Sequence, residues 1–146
     1  MILPDVNVLL YAFKEGAPGH ERFRSWLEAA AAGPDPIGVC ELVLSGVVRV
    51  STHPRVFDRP ATPAEALDFA EWMRSLPVAV PLAPGARHWE IFARLVQRAE
   101  CRGGLVSDAY LAALAIEHGC EWVTTDRDFA RFPGLRWRHP LEGAGQ

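Results

Sequence analysis

The chain opens, over residues 2–11, with the sequence ILPDVNVLLY. Apolar residues surround a single aspartate, Asp5, and this pattern predicts a short buried strand that ends at a polar site. A carboxylate so close to the core is costly to bury without a partner. We therefore expect the first strand to deliver Asp5 to a site that compensates its charge.

Working outward, the chain alternates helical and strand-length patterns. Residues with the spacing of an amphipathic helix end before Gly33-Pro34; they are Phe23, Trp26, Leu27 and Ala30. A brief apolar segment at 37–40 precedes a run from Glu41 that favours a buried helix. Thr62 to Glu65 combine a capping box with a proline at the first helical position, which predicts a helix start.

The second half of the chain continues this alternation. Pro77 and Pro81 bracket a strand-length segment at 78–80. Another helix is expected next, with an apolar face formed by Trp89, Phe92, Ala93 and Val96. Ser107 is expected to cap a further helix that ends at Gly119, and residues 122–124 predict a strand.

Strands that alternate with helices predict a parallel sheet, because βα units close right-handed onto such sheets. We therefore expect an α/β protein with a three-layer fold, in which helices cover both faces of a central, mostly parallel sheet. The chain shows no repeat, low-complexity tract or linker. A single domain over residues 1–141 is expected, followed by a short polar C-terminal tail at 142–146.

Composition excludes several classes of protein. The net charge of −3 argues against a protein that coats nucleic acid by charge alone, although not against an enzyme that acts on it. The three cysteines, Cys40, Cys101 and Cys120, form no C-x-x-C pair and suggest neither a disulfide framework nor a zinc knuckle. No apolar run approaches the roughly 18 residues that span a bilayer. We expect a protein of the reducing cytoplasm with no membrane partner.

Four acids lie where parallel sheets bind ligands, beyond the carboxyl ends of the strands. Asp5, Glu41 and Asp126 leave predicted strands, and Asp108 is expected in the first turn of its helix. Each of these acids except Asp5 also has a plain structural explanation, as a helix cap or a helix-end charge. Asp126 is expected to face the crevice, whereas Asp128 is expected to cap or charge a short helical turn.

Carboxylates that share a crevice repel one another unless a cation lies between them. Oxygen ligands suit Mg²⁺ or Mn²⁺, and the five scattered histidines form no zinc motif. Such a site can activate water and stabilise charge on a phosphate, which predicts metal-assisted phosphodiester cleavage. The chain has neither a G-x-S-x-G elbow nor a glycine-rich phosphate loop.

Two other enzyme classes and one binding function compete with this prediction. Haloacid-dehalogenase-like phosphatases have a second aspartate where Asn7 stands, and both they and receiver domains use a late lysine, whereas Lys14 is early and the only lysine. A non-catalytic module that binds an arginine-bearing partner peptide remains open. Metal-dependent turnover of RNA would separate that module from a nuclease.

Four motifs, in this order, resemble the PIN domain, and most closely the VapC-type toxins of bacterial toxin–antitoxin pairs. They are ILPDVNVLLYA at 2–12, CEL at 40–42, SDAYLAALA at 107–115 and VTTDRDF at 123–129. The segments THPRVF at 52–57 and FPGLRW at 132–137 extend the resemblance over nearly the whole chain.

The resemblance implies a catalytic acidic quartet that binds Mg²⁺ or Mn²⁺ and cleaves RNA: Asp5, Glu41, Asp108 and Asp126. It also implies that Asn7 and Thr124 support this site. The partners that it implies are an RNA substrate, a second copy of the chain in a homodimer, and a small cognate antitoxin. The antitoxin would block the cleft, often with an inserted cationic side chain.

Overall fold

A computed structural model describes residues 1–143 of the chain. Within them lie five strands: β1 (Ile2–Pro4), β2 (Ile37–Cys40), β3 (Ala79–Leu82), β4 (Glu121–Val123) and β5 (Trp137–Arg138). The α-helices there are α1 (Val6–Phe13), α2 (His20–Ala32), α3 (Glu41–Ser51), α4 (Pro63–Ser75), α5 (His88–Arg98) and α6 (Gly104–Glu117). A 3₁₀ turn spans Arg127–Arg131.

The five strands form one parallel sheet in the order β3-β2-β1-β4-β5. The chain moves from β1 through β2 to β3 and then returns across the sheet to β4. Right-handed crossovers therefore place α1–α4 on one face and α5–α6 on the other. The contacts agree, since α1 packs on α2 and α3, α3 on α4, and α5 on α6. The predicted three-layer α/β fold is confirmed.

The core lies between this sheet and its helices. Its fully buried large side chains include Leu3 and Trp122 from neighbouring strands, Leu9 from α1, and Phe129 from the 3₁₀ turn. The rings of Trp122 and Phe129 lie 5.3 Å apart, centre to centre. This packing fixes the segment after β4, which carries Asp126, against the sheet.

Several local predictions are confirmed. Helix α2 ends at Ala32 with Gly33 as its C-cap, and β2 occupies residues 37–40 with all four residues buried. Helix α3 begins at Glu41 directly after β2. The capping box of α4 is complete, because Glu65 N donates to Thr62 Oγ1 while Thr62 N donates to the Glu65 carboxylate, each at 3.2 Å.

Helix α1 is a feature that the apolar opening of the chain does not predict. The strand ends at Pro4, and a helix begins at Val6 with Asp5 as its N-cap. The buried residues of this helix include Val8, Leu9 and Ala12, which share one helical face. Asp5 is therefore held between a strand and a helix start.

Strand β3 lies later than predicted and includes Pro81, which was expected to end it. Because β3 is an edge strand, a residue without a backbone N–H can be accommodated there. The predicted apolar face of α5 is only partly correct, since Phe92 and Val96 are partly buried and pack against the core. Its buried residues are His88, Ile91 and Leu95, whereas Trp89 is 72% exposed.

Helix α6 begins earlier than predicted, at Gly104, and its N-cap is Gly103 rather than Ser107. Gly103 has φ 56° and ψ −127°, a conformation that glycine adopts far more readily than other residues. Asp108 consequently lies in the second turn of α6, not the first. Gly119 follows the helix with φ 66°, as expected for a terminating glycine.

None of the helices within residues 1–143 has both the length and the apolarity that crossing a bilayer demands. In the predicted polar tail, Glu142 forms an ion pair with Arg127. Residues 144–146 of that tail lie outside the described residues.

Candidate active site

Asp5 lies at the centre of the sheet's carboxyl edge, directly after β1. Its side chain is 6% exposed and accepts three hydrogen bonds. Val6 N donates to Oδ1 at 2.6 Å, and Oδ2 accepts from Thr124 Oγ1 at 2.7 Å and from Asn7 Nδ2 at 3.2 Å. All three donors are neutral, so no positive charge compensates the carboxylate in these contacts.

Burial raises the pKa of Asp5 from 3.8 to about 6. The hydrogen bonds from Thr124 and Val6 lower this pKa but do not offset the loss of hydration. The negative charges of Asp108 and Asp126 also contribute to the raised value. A proton or a cation would therefore be bound favourably beside this carboxylate.

Asn7 and Thr124 link the segments that follow β1 and β4. Asn7 Nδ2 lies 3.3 Å from Thr124 Oγ1, and its Oδ1 accepts from Thr125 N at 3.3 Å. Thr124 Oγ1 also accepts from Asp126 N at 3.0 Å. The structure thus places both predicted supporting residues in contact with the segment that carries Asp126.

Asp108 reaches the same cleft from α6. Its burial is the largest cause of a raised pKa, to which the charges of Asp126 and Asp128 add. We name Asp5, Asp108 and Asp126 the acidic cluster, because the charges of Asp108 and Asp126 raise the pKa of Asp5 and the charge of Asp126 raises that of Asp108. The structure thus places these three predicted acids within range of one another's charge, and their role in metal binding stays a prediction.

Glu41, the fourth predicted acid, does not join the acidic cluster. It starts α3 at the end of β2, the strand next to β1, but its carboxylate is 85% exposed. Its Oε1 accepts a hydrogen bond from Arg74 Nη1 at 3.1 Å. The backbone of Glu41 stands at the expected sheet edge, while its side chain turns outward toward α4.

The described residues contain no group of three histidine, cysteine, aspartate or glutamate side chains already gathered at metal-binding distances. The donor set of the acidic cluster is nevertheless all carboxylate oxygen, which suits Mg²⁺ or Mn²⁺ rather than zinc. The uncompensated Asp5 carboxylate is the feature of this cleft that fits a cation.

Asp126 and Asp128 have distinct positions in the 3₁₀ turn. Asp126 is its N-cap and accepts from Asp128 N at 2.9 Å through Oδ1. Asp128 is exposed and lies in the first turn. Of the two roles expected for Asp128, the structure shows the helix-end charge, whereas the cap is Asp126.

Two arginines near the acids were not among the predicted site residues. Arg131 approaches Asp128 to 3.7 Å, and its charge also acts on Asp108, where it lowers the pKa. The i,i+3 spacing of Asp128 and Arg131 could have indicated that contact. Arg74 lies 33 residues from its partner Glu41, a separation for which no local pattern exists.

Comparison with known proteins bears on the family of this chain. The family profile of the PIN domain matches residues 2–135. The chain belongs to the PIN-domain family.

Curated relatives place this PIN domain among the VapC proteins. It is 42% identical over 143 residues to ribonuclease VapC43 of Mycobacterium tuberculosis, covering 98% of this chain and 97% of that protein. It is 40% identical over 140 residues to ribonuclease VapC25 of the same organism, covering 96% and 99%.

Solved structures share the fold of this PIN domain at lower identity. VapBC2 from Rickettsia felis, bound to a DNA fragment from its promoter, matches with a TM-score of 0.67 and 19% identity, covering 95% of this chain and 98% of that one. VapC20 of Mycobacterium tuberculosis, a sarcin-ricin loop cleaving toxin, matches with a TM-score of 0.66 and 19% identity, covering 93% and 99%. The resemblance that the sequence motifs indicated is confirmed.

Proposed function

We propose that this chain is a Mg²⁺- or Mn²⁺-dependent ribonuclease and the toxin of a toxin–antitoxin pair. The observation that carries the proposal is the buried Asp5 carboxylate, which has neutral donors only and faces two further acids. A buried acid in a cleft with a raised pKa and no cationic partner is typical of a site that serves a ligand which the acid attracts. A divalent cation is that ligand.

Asp5, Asp108 and Asp126 would hold the cation, with Glu41 as a fourth ligand. To reach the cation, Glu41 would break its ion pair with Arg74. An exposed ion pair of this kind contributes only about 0–1 kcal/mol to the free energy of unfolding. When bound, the cation supplies activation of a water molecule and stabilisation of charge at the phosphate. Thr124 and Asn7 keep the Asp5 carboxylate oriented toward the cleft during this process.

The curated relatives support a ribonuclease, since both VapC43 and VapC25 carry that name. Structural neighbours are toxin–antitoxin complexes, among them one from Klebsiella pneumoniae with a TM-score of 0.63 and 22% identity. We extend both properties to this chain and propose a small antitoxin as its partner. A homodimer and a cytoplasmic location complete the proposal.

The test is cleavage of RNA by the purified chain with EDTA, Mg²⁺ or Mn²⁺. We expect cleavage only with a divalent cation, and its loss in Asp5→Asn and Asp108→Asn. Asp68→Asn, on the exposed side of α4, is the matched control and should cleave normally. Binding of an arginine-bearing peptide without any metal-dependent cleavage would favour the non-catalytic module instead.

A further inference from the structure

A cavity of about 380 Å³ lies beside Glu41 at the outer end of the sheet. Its volume falls within the range of about 300–1,000 Å³ that is usual for small-molecule sites. The apolar part of its wall comes from β2, β3 and the loop after β3, and includes Val39, Leu82, Pro81 and Pro84. The cavity therefore continues the edge of the sheet that carries the acids.

Tyr110 supplies an aromatic wall to this cavity from α6, the helix that also carries Asp108. The ring of Tyr110 packs edge-on against His88, with 4.3 Å between centroids, and also contacts Phe92. His88 is buried and bonds through Nε2 to the Tyr110 carbonyl at 2.9 Å. These contacts hold the aromatic wall in place.

The charged side chains that line the cavity are Arg74 and Glu41. Arg74 Nη1 donates to Glu41, while its Nε lies 3.7 Å from Oε2 of Glu71 on the same helix. If Glu41 turns to a cation, Glu71 still restrains Arg74 through Nε. The Nη atoms of Arg74 then become free donors at the cavity.

We propose that this cavity binds the base of a nucleotide next to the scissile phosphate, and that Arg74 selects guanine. The inference rests on the proposed function for the identity of its substrate. Guanine presents two acceptors, O6 and N7, on one edge, which matches the forked donors of an arginine. Pro81, Pro84 and Tyr110 offer surfaces against which a base can pack, as single-stranded RNA requires.

The test uses the full chain carrying Glu41→Gln, which removes the charge that holds Arg74 and also prevents turnover. Guanosine, adenosine and cytidine 5′-monophosphates are titrated and followed by NMR chemical-shift changes. We expect guanosine monophosphate to bind about tenfold more tightly than the others, and Arg74→Gln to abolish that preference. Ala83→Trp, at an exposed residue of the cavity wall, should block all three nucleotides.

Arg24→Gln is the matched control, because Arg24 forms a similar exposed ion pair with Glu28 on α2. It should leave nucleotide binding unchanged, and melting curves should show that each variant folds. Equal binding of the three nucleotides before and after Arg74→Gln would overturn the inference. So would intact nucleotide binding in Ala83→Trp together with loss of antitoxin binding, which would make the cavity a protein contact.

The two proposals can fail separately. Metal-dependent RNA cleavage by the unmodified chain, without guanosine monophosphate binding in the Glu41→Gln chain, overturns the base site and leaves the ribonuclease standing. Guanosine-specific binding that requires Arg74, in a chain that cleaves no RNA with any cation, overturns the ribonuclease and supports the base site.

Discussion

The hydroxyl of Thr124 donates a 2.7 Å hydrogen bond to Oδ2 of Asp5. Each residue stands directly after its strand, and β1 pairs with β4 so that Pro4 lies opposite Val123. The register of the sheet therefore fixes this contact. Because Thr124 is fully buried and also accepts from Asp126 N, one hydroxyl connects two members of the acidic cluster.

Thr124→Val should lower the free energy of unfolding by about 1–3 kcal/mol, because the polar groups of Asp5 and Asp126 that bond to the Thr124 hydroxyl lose that partner. The pKa of Asp5 should rise further, since the bond from Thr124 lowers it. Urea unfolding measures the first effect. Thr124→Ser keeps the hydroxyl and should be much less destabilised, and equal stability of the valine and serine variants would contradict this role.

The stability of the metal-free chain should depend on pH through Asp5. Its folded pKa of about 6 exceeds the reference value of 3.8, so between these pH values the folded state binds a proton that the unfolded state releases. The contribution of Asp5 to the free energy of unfolding therefore falls as pH rises through this window, by on the order of 3 kcal/mol.

This pH dependence can be isolated with Asp5→Asn, which cannot titrate and can still cap α1. In EDTA at pH 7 to 8 the variant should melt at a higher temperature than the unmodified chain, and the difference should shrink toward pH 4. If Asp5→Asn were less stable than the unmodified chain by the same amount at pH 8 and at pH 4, the charge of Asp5 would not destabilise the folded state.

Asp126→Asn should abolish the rise in melting temperature that Mn²⁺ gives, while changing the stability in EDTA little. Asparagine caps helices about as well as aspartate, so only the metal ligand is lost. Asp126→Ala should also lose the cap, at about 1 kcal/mol. Mn²⁺ titrations followed by melting curves measure both effects.

Asp128→Asn should retain most of the response to Mn²⁺. Its carboxylate is exposed, and its contact with Arg131 is 3.7 Å long, so the loss of stability should stay within about 1 kcal/mol. A larger metal defect in Asp128→Asn than in Asp126→Asn would exchange the roles of the two residues.

Expression of the intact chain should arrest growth in a host that has matching RNA. Coexpression of the cognate antitoxin, or the change Asp5→Asn, should relieve the arrest, because each removes the proposed cleavage. Colony counts after induction measure this, with Asp68→Asn as a variant that should stay toxic. Harmless expression of the folded, intact chain alone would contradict the toxin assignment.

Local features of the fold could be predicted because their signals lie within three or four residues. Thr62 and Glu65 predicted the start of α4, and Gly119 predicted the end of α6, since each makes its contacts with its own helix. Helix α1 could not be predicted in this way. An apolar run such as 6–11 is compatible with a strand or a helix, and packing on α2 and α3 decides between them.

The sequence alone determined the parallel α/β architecture and the placement of Asp5 and Asp126 at the carboxyl edge of the sheet, because both acids directly follow or nearly follow apolar strands. Tertiary structure decided how the side chains pair. Thr124 bonds to Asp5 across 119 residues, and Arg74 reaches Glu41 across 33. These contacts arise from strand order and from the packing of α4 on α3, and neither leaves a periodic signal in the chain.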